Sequence, residues 1–409
     1  MRQIIQKIKR KRVVRDAFWY TLANIVMQLS SLLGVLFVSR YLGPVNVGLY
    51  SFIQNYIAIF TTFLVALDTY AQWSLVKEND PISALYKYIK IKTIVTVFII
   101  FVLVGISVFV LPPDLLQYLF IMLIPFFTSI FAPFIFVLQY QNQSKRVAIG
   151  MILSSIFLVM GKIGAVFAEA PLSVFILINS LDGIVLTILC VYYVSSQNKT
   201  VTQKIRVSDF INLGKNAVYP LIYLCTWYIV IKADQFFVPL YFDARSLGIY
   251  SSAVKVVEMS NVLVVIAQSL IIPRMVQISH PETDTKKMHY TILLYLGLGA
   301  CATMMIELFA PLAVKILFGP QFTETTAVLR VYALSIPGLF VSYLFVAVAL
   351  SKQNFKNLSI FSSVLTIITL GLLYFASRLD SLLAFAYVSV FIYTAGAFVS
   401  YVLWRNKYI

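Results

Sequence analysis

Twelve runs of about twenty mostly apolar residues, joined by connections of no more than 22 residues, constrain this chain more than any other feature. A bilayer core about 30 Å thick is crossed by about 20 helical residues. Helices alone satisfy every backbone donor and acceptor within one such segment. The runs lie at 17–38, 47–70, 93–111, 115–138, 147–168, 172–194, 217–240, 247–272, 290–310, 327–350, 357–376 and 381–404. They predict an all-α integral membrane protein with twelve transmembrane helices. No connection has room for a soluble catalytic domain, so whatever chemistry the protein performs lies within the bundle.

The net charge of +16 would suit a nucleic-acid partner if it were gathered on one surface, but its distribution excludes that reading. With the N-terminus placed in the cytosol, 24 of the 32 Lys and Arg fall in the inward segments 1–16, 71–92, 139–146, 195–216, 273–289, 351–356 and 405–409. The outward loops hold only Arg40, Arg245, Lys315 and Arg378. That asymmetry is the positive-inside rule, and it predicts that both termini are cytosolic. The basic balance therefore reports topology. Residues 1–16 read as an uncleaved basic leader to the first span, since no small-residue cleavage pattern follows the 22-residue run behind them. Cys190, Cys225 and Cys301 fall inside spans, where a free thiol behaves as a small apolar group. His280 and His289 share a cytosolic segment with nothing to complete a metal site, and no cofactor is expected.

Laying residue n over residue n+200 uncovers an internal repeat. Arg15-Asp16-Ala17 falls on Lys215-Asn216-Ala217, Phe37-Val38 on Phe237-Val238, and Tyr41 on Tyr241. Gly48-Leu49-Tyr50-Ser51 falls on Gly248-Ile249-Tyr250-Ser251. The chain thus reads as a basic N-terminus (1–16), a six-helix half (17–194), a linker (195–216), a second six-helix half (217–404) and a short tail (405–409). An even number of helices per half makes the two enter the bilayer from the same face, related by a pseudo-two-fold axis along the membrane normal.

The repeat singles out four charges. Lys232, Asp234, Lys255 and Glu258 overlay Leu32, Gly34, Asn55 and Ala58, so the shared scaffold builds these helices without them. Lys162 in span 5 lies at a depth similar to Lys232, Lys255 and Glu258, and Asp182 in the middle of span 6 is a further candidate. Six such residues facing lipid would cost roughly 15 to 20 kcal/mol, so they face the interior. Lys255 and Glu258 share one helix face, whereas Lys232 and Asp234 diverge by about 200° and cannot pair directly. Two readings are open: the lysines and acids pair across the bundle as structure, or they line a hydrated cavity that takes an anionic substrate and a coupling ion. Pro125, Pro133 and Pro337 interrupt spans 4 and 10 and serve either as hinges or in packing. Asn24 and Gln28, i and i+4 in span 1, either line the cavity or join helices.

The segments RDAFWYTLANI, FVSRYLGPVNVGLYSF and ALDTYAQWSLVK between residues 15 and 77, with KADQFFVPLYFDARSLGIYSSAVKVVE at 232–258, resemble the polysaccharide exporters. These include the repeat-unit flippases called Wzx, in the superfamily that also holds the MATE exporters and the lipid flippase MurJ. The resemblance implies a MATE- or MurJ-like fold in a bacterial inner membrane and no enzymatic activity. It further implies passage of an undecaprenyl-pyrophosphate-linked oligosaccharide (O-antigen, capsule or a similar glycan) to the outer leaflet by alternating access coupled to H+ or Na+. In that picture Arg40, Lys162, Lys232 and Lys255 hold pyrophosphate or acidic sugars, and Asp234, Glu258 and Asp182 are ion-coupling candidates. Membrane lipids surround such a protein, and a polysaccharide polymerase and a chain-length regulator are its implied partners. A MATE-type antiporter of cationic drugs is the nearest alternative, although it favours acidic excess in the core. A membrane-embedded glycosyltransferase or polymerase fits less well, because the longest outward loop is about 16 residues.

Overall fold

The computed structural model describes residues 2–77, 81–111, 113–141, 143–196, 206–275, 281–351 and 354–406, nearly all of them helical. Linker residues 197–205, tail residues 407–409 and His280 lie outside the described residues. Among the described residues, ten helices are long and apolar enough to cross a membrane. The first of these, Thr21–Thr69, has 49 residues, more than twice what one crossing needs. It breaks at Gly43, whose φ of 71° is open to glycine and strained for other residues, with Pro44 following. Two spans are therefore joined there. A further pair, Thr325–Ala333 and Ile336–Leu350, meets at 50° and makes one broken span. Dividing the first helix and adding the bent pair gives the twelve crossings expected. Large side chains such as Phe101, Phe109 and Phe167 remain bare, as hydrocarbon-facing residues do.

The helices group into two compact units, Met1–Gly34 with Ile57–Leu221 and Val35–Tyr56 with Ile222–Ile409. Val35–Tyr56, the turn and helix ends between spans 1 and 2, thus packs within the second unit, while the rest of both helices belongs to the first.

In the first unit the core gathers Leu85, Phe134, Val137, Leu138, Ala148 and Met151, with Cys190 and Val194 from span 6. Span 4 is cut into Leu119–Met122, Ile124–Ile130 and Pro133–Tyr140, because prolines stand in the first turn of the second and third pieces. Span 6 is cut into Leu172–Ser180 and Ile184–Ser195, with Gly183 left-handed at the break (φ 74°). Span 3 begins earlier than the apolar run suggests. Its helix is Pro81–Val110, so Lys92, expected at the end of an inward segment, sits well inside a continuous helix with no exposed surface.

In the second unit the repeat becomes a contact. A methyl group added to Gly48 would stand 1.9 Å from the Ala244 carbonyl oxygen, and one on Gly248 would stand 1.8 Å from that of Pro44. Spans 2 and 8 cross with backbone against backbone at repeat-equivalent positions, as small residues permit in membranes. Asp243 caps the second of these helices, its carboxylate accepting from the Ser246 N–H at 2.8 Å.

Candidate functional site

In the second unit, three helices and the Val35–Tyr56 segment supply the polar groups. Lys232 and Asp234 lie on Val207–Tyr241, Tyr250, Lys255 and Glu258 on Ala244–Met259, and Ser389 on Leu382–Arg405. The Lys232 ammonium donates to Glu258 Oε1 at 2.6 Å. The Glu258 side chain is nonetheless 37% exposed and that of Lys232 16%, so protein does not fully enclose this pair. Asp234 turns the other way, as the helical offset predicts, and is buried. It accepts hydrogen bonds from Tyr250 Oη at 2.8 Å, Ser389 Oγ at 3.1 Å and the Gln235 N–H at 2.7 Å. Among the described residues no cation hydrogen-bonds it. Three neutral donors satisfy this buried carboxyl group. Beside it, Asn55 Nδ2 donates to Gln235 Oε1 at 2.9 Å, and Tyr228 Oη donates to the Asn55 carbonyl at 3.1 Å. The Lys255 ammonium stands 5.4 Å from the centre of the Tyr50 ring, within cation–π range.

Arg40 is not brought to this cluster. Its guanidinium donates to the Lys315 carbonyl at 3.0 Å, and both residues border a surface hollow of about 460 Å3 lined also by Leu312, Ile316 and Phe318.

The first unit holds its own cavity, of about 670 Å3, at the break in span 6, lined by both polar and apolar side chains. Irregular backbone at membrane depth is tolerated where it lines such a space. Asp182 and Gly183 at the break, Lys162 and Asn179, and Gln28 from span 1 all border it. Lys162 Nζ donates to Asn179 Oδ1 at 3.3 Å, and its stem fits over Gly34, where a methyl group would come within 3.3 Å of Cδ. The Gly183 N–H left over at the break donates to Ser154 Oγ at 3.2 Å. Of the two polar residues singled out in span 1, Gln28 lines this cavity. Asn24 is half-buried and lies outside its wall. Pro125 and Pro133 open helical pieces of span 4, and Pro337 is the second residue beyond the 50° bend in span 10, so each proline stands at a real discontinuity.

One buried ionic group escaped the sequence reading. Lys92 Nζ donates to both carboxylate oxygens of Asp68 at 2.7 Å, Tyr88 Oη adds a bond to Asp68 at 3.2 Å, and Lys92 also donates to the Ser129 carbonyl. Ser129 lies four residues before Pro133, which has no N–H to return to that carbonyl. The lysine thus fills an acceptor that the proline leaves open. Asp68 lay within the expected second span, and an acid inside an apolar run was the signal available.

Residues 13–279 match the profile of the polysaccharide biosynthesis protein family. No curated protein sequence matches the chain. Among solved structures, a MOP-superfamily transporter from Pyrococcus furiosus is similar with a TM-score of 0.66 at 15% identity, over 97% of this chain and 95% of that one. An inward-facing MATE-family multidrug resistance transporter of the same superfamily is similar with a TM-score of 0.71 at 14% identity, over 93% and 94%. At these identities the likeness speaks for the fold, which is that of the MOP-superfamily transporters. With twelve apolar crossings on that fold and a profile match over well more than half its length, the chain belongs to the polysaccharide biosynthesis protein family, as a multi-pass membrane protein.

Proposed function

We propose that this protein is a flippase that carries a lipid-linked oligosaccharide, of the undecaprenyl-pyrophosphate type, from the inner to the outer leaflet of a bacterial cytoplasmic membrane. Family membership supports the glycan as cargo. The observation that carries transport is the partly open Lys232–Glu258 pair: ionised groups at mid-membrane depth persist where water or a ligand reaches them. In this reading Lys232 and Lys255 attract the pyrophosphate. A lysine ammonium suits that task as a mobile point charge that binds and also releases. Glu258 occupies Lys232 until an anionic cargo displaces it, and Asp234, held by neutral donors, takes up the coupling ion, H+ or Na+. Both termini stay in the cytosol in this reading, which the charge asymmetry supports.

The test is complementation. In a strain lacking the protein, Lys232→Ala and Asp234→Ala are each expected to reach wild-type levels in the membrane and fail to restore surface glycan. Restoration by both variants at normal expression overturns the proposal.

A further inference from the structure

The cavity of the first unit has a lining that the ionic part of this function does not use. Gln28, Gln72 and Gln139 border it with Ser30 and Ser31, and none of these five side chains makes a hydrogen bond among the described residues. Each glutamine amide offers two donors and an acceptor oxygen, and each hydroxyl serves as both donor and acceptor. None of the five is buried, so water reaches these groups in the cavity, and an occupant with matching donors and acceptors can take the place of that water. Among the described residues the ionisable groups in the wall are Lys162 and Asp182, one of each sign, so these residues give the space no cationic excess. A pyrophosphate would find no surplus positive charge there.

Amides, hydroxyls and a balanced charge pair, interspersed with apolar side chains such as Phe136, Met151 and Leu158, match a sugar, which presents hydroxyl groups and C–H faces together. The volume of about 670 Å3 lies in the usual range of small-ligand sites. We infer that this cavity binds uncharged sugar residues of the cargo through the amides of Gln28, Gln72 and Gln139, and that Lys162 serves sugar hydroxyls there rather than phosphate. The inference rests on the flippase reading and adds to it a division of labour between the two units. It also locates glycan specificity, because a site built to bond hydroxyls discriminates strongly against analogues that lack them.

The probe is the oligosaccharide freed by mild acid from the lipid-linked glycan that accumulates in a strain lacking the protein, so that it carries neither lipid nor pyrophosphate. Its binding to the full chain in nanodiscs is read by saturation-transfer NMR. Wild type is expected to bind. The double variant Gln28→Leu with Gln139→Leu, close in volume and unable to hydrogen-bond, is expected to bind about tenfold more weakly at an unchanged melting temperature. Ser30→Ala with Ser31→Ala, a milder change that spares the fold, should weaken binding about threefold. Absence of binding by wild type, or equal binding by the variants, overturns the sugar site and leaves the flippase reading standing. If no lipid-linked glycan accumulates in the deletion strain, the flippase reading itself fails.

Discussion

Replacing Gly248 by alanine adds one methyl group where the backbones of spans 2 and 8 cross. The new carbon would lie 1.8 Å from the Pro44 carbonyl oxygen and 3.1 Å from the Gly48 nitrogen. Real contacts of this kind begin near 3.0 Å, so the two backbones must part by at least about 1.2 Å. Neither atom belongs to a side chain that can rotate away. Overpacking in a well-filled interior costs about 1 to 3 kcal/mol, and a rigid backbone obstacle puts this substitution at the upper end, about 3 kcal/mol. Gly48→Ala meets the Ala244 carbonyl in the same way and should cost a similar amount. Because one separation of the helices accommodates both methyls, the double variant should lose less than the sum of the two single losses. Gly105→Ala and Gly297→Ala are the controls: an added carbon at either meets nothing within 4 Å, and helix propensity favours alanine by about 0.5 to 1 kcal/mol. Thermal unfolding of the purified chain in detergent measures all five variants. A melting temperature for Gly248→Ala equal to or above that of the controls would refute the close crossing, and strict additivity of the double variant would refute the shared contact.

Two further perturbations probe other parts of the fold. Lys92→Met strands Asp68 and the Ser129 carbonyl in the interior, and losing one partner of a buried pair costs about 3 to 5 kcal/mol. Adding Asp68→Leu should recover part of that loss, because an apolar pair often matches a buried ionic one; a double variant as unstable as the sum of its parts argues against coupling. At the membrane boundary, hydrogen bonds from Ser246 hold the Asp243 carboxyl below its usual range, and Arg245 does the same for Glu324. Carboxyls depressed on folding stabilise the folded state above about pH 4, and that contribution disappears as pH falls through their lowered values. Asp243→Ala should remove about 1 kcal/mol of helix capping at neutral pH and flatten the acid limb of the melting curve; an unchanged acid limb contradicts the role assigned to the cap.

Crossing number was legible because hydropathy over twenty residues is a local property, and a bilayer leaves helices no other way to satisfy their backbones. The bent tenth span shows the limit: its apolar run was found at 327–350, whereas the 50° bend depends on where Pro337 stands relative to its neighbours. Lys232 and Asp234 were read apart from helical geometry alone, and they are apart. The partner of each was not readable, since Glu258, Tyr250 and Ser389 are 26, 16 and 155 residues away. The burial of Lys92 was unreadable for the same reason. A lysine at the edge of an apolar run resembles a loop charge until Asp68 and an unfilled carbonyl close around it.

Sequence alone determined that this chain lives in a membrane, crosses it twelve times and repeats itself, because each of those properties is written in residues near one another or at a fixed offset. Tertiary structure decided which charges meet, that repeat-equivalent glycines touch, and that three glutamines border one cavity. Pairing in a low-dielectric interior is settled by distances of a few ångströms between helices, and those distances emerge only when whole faces pack together.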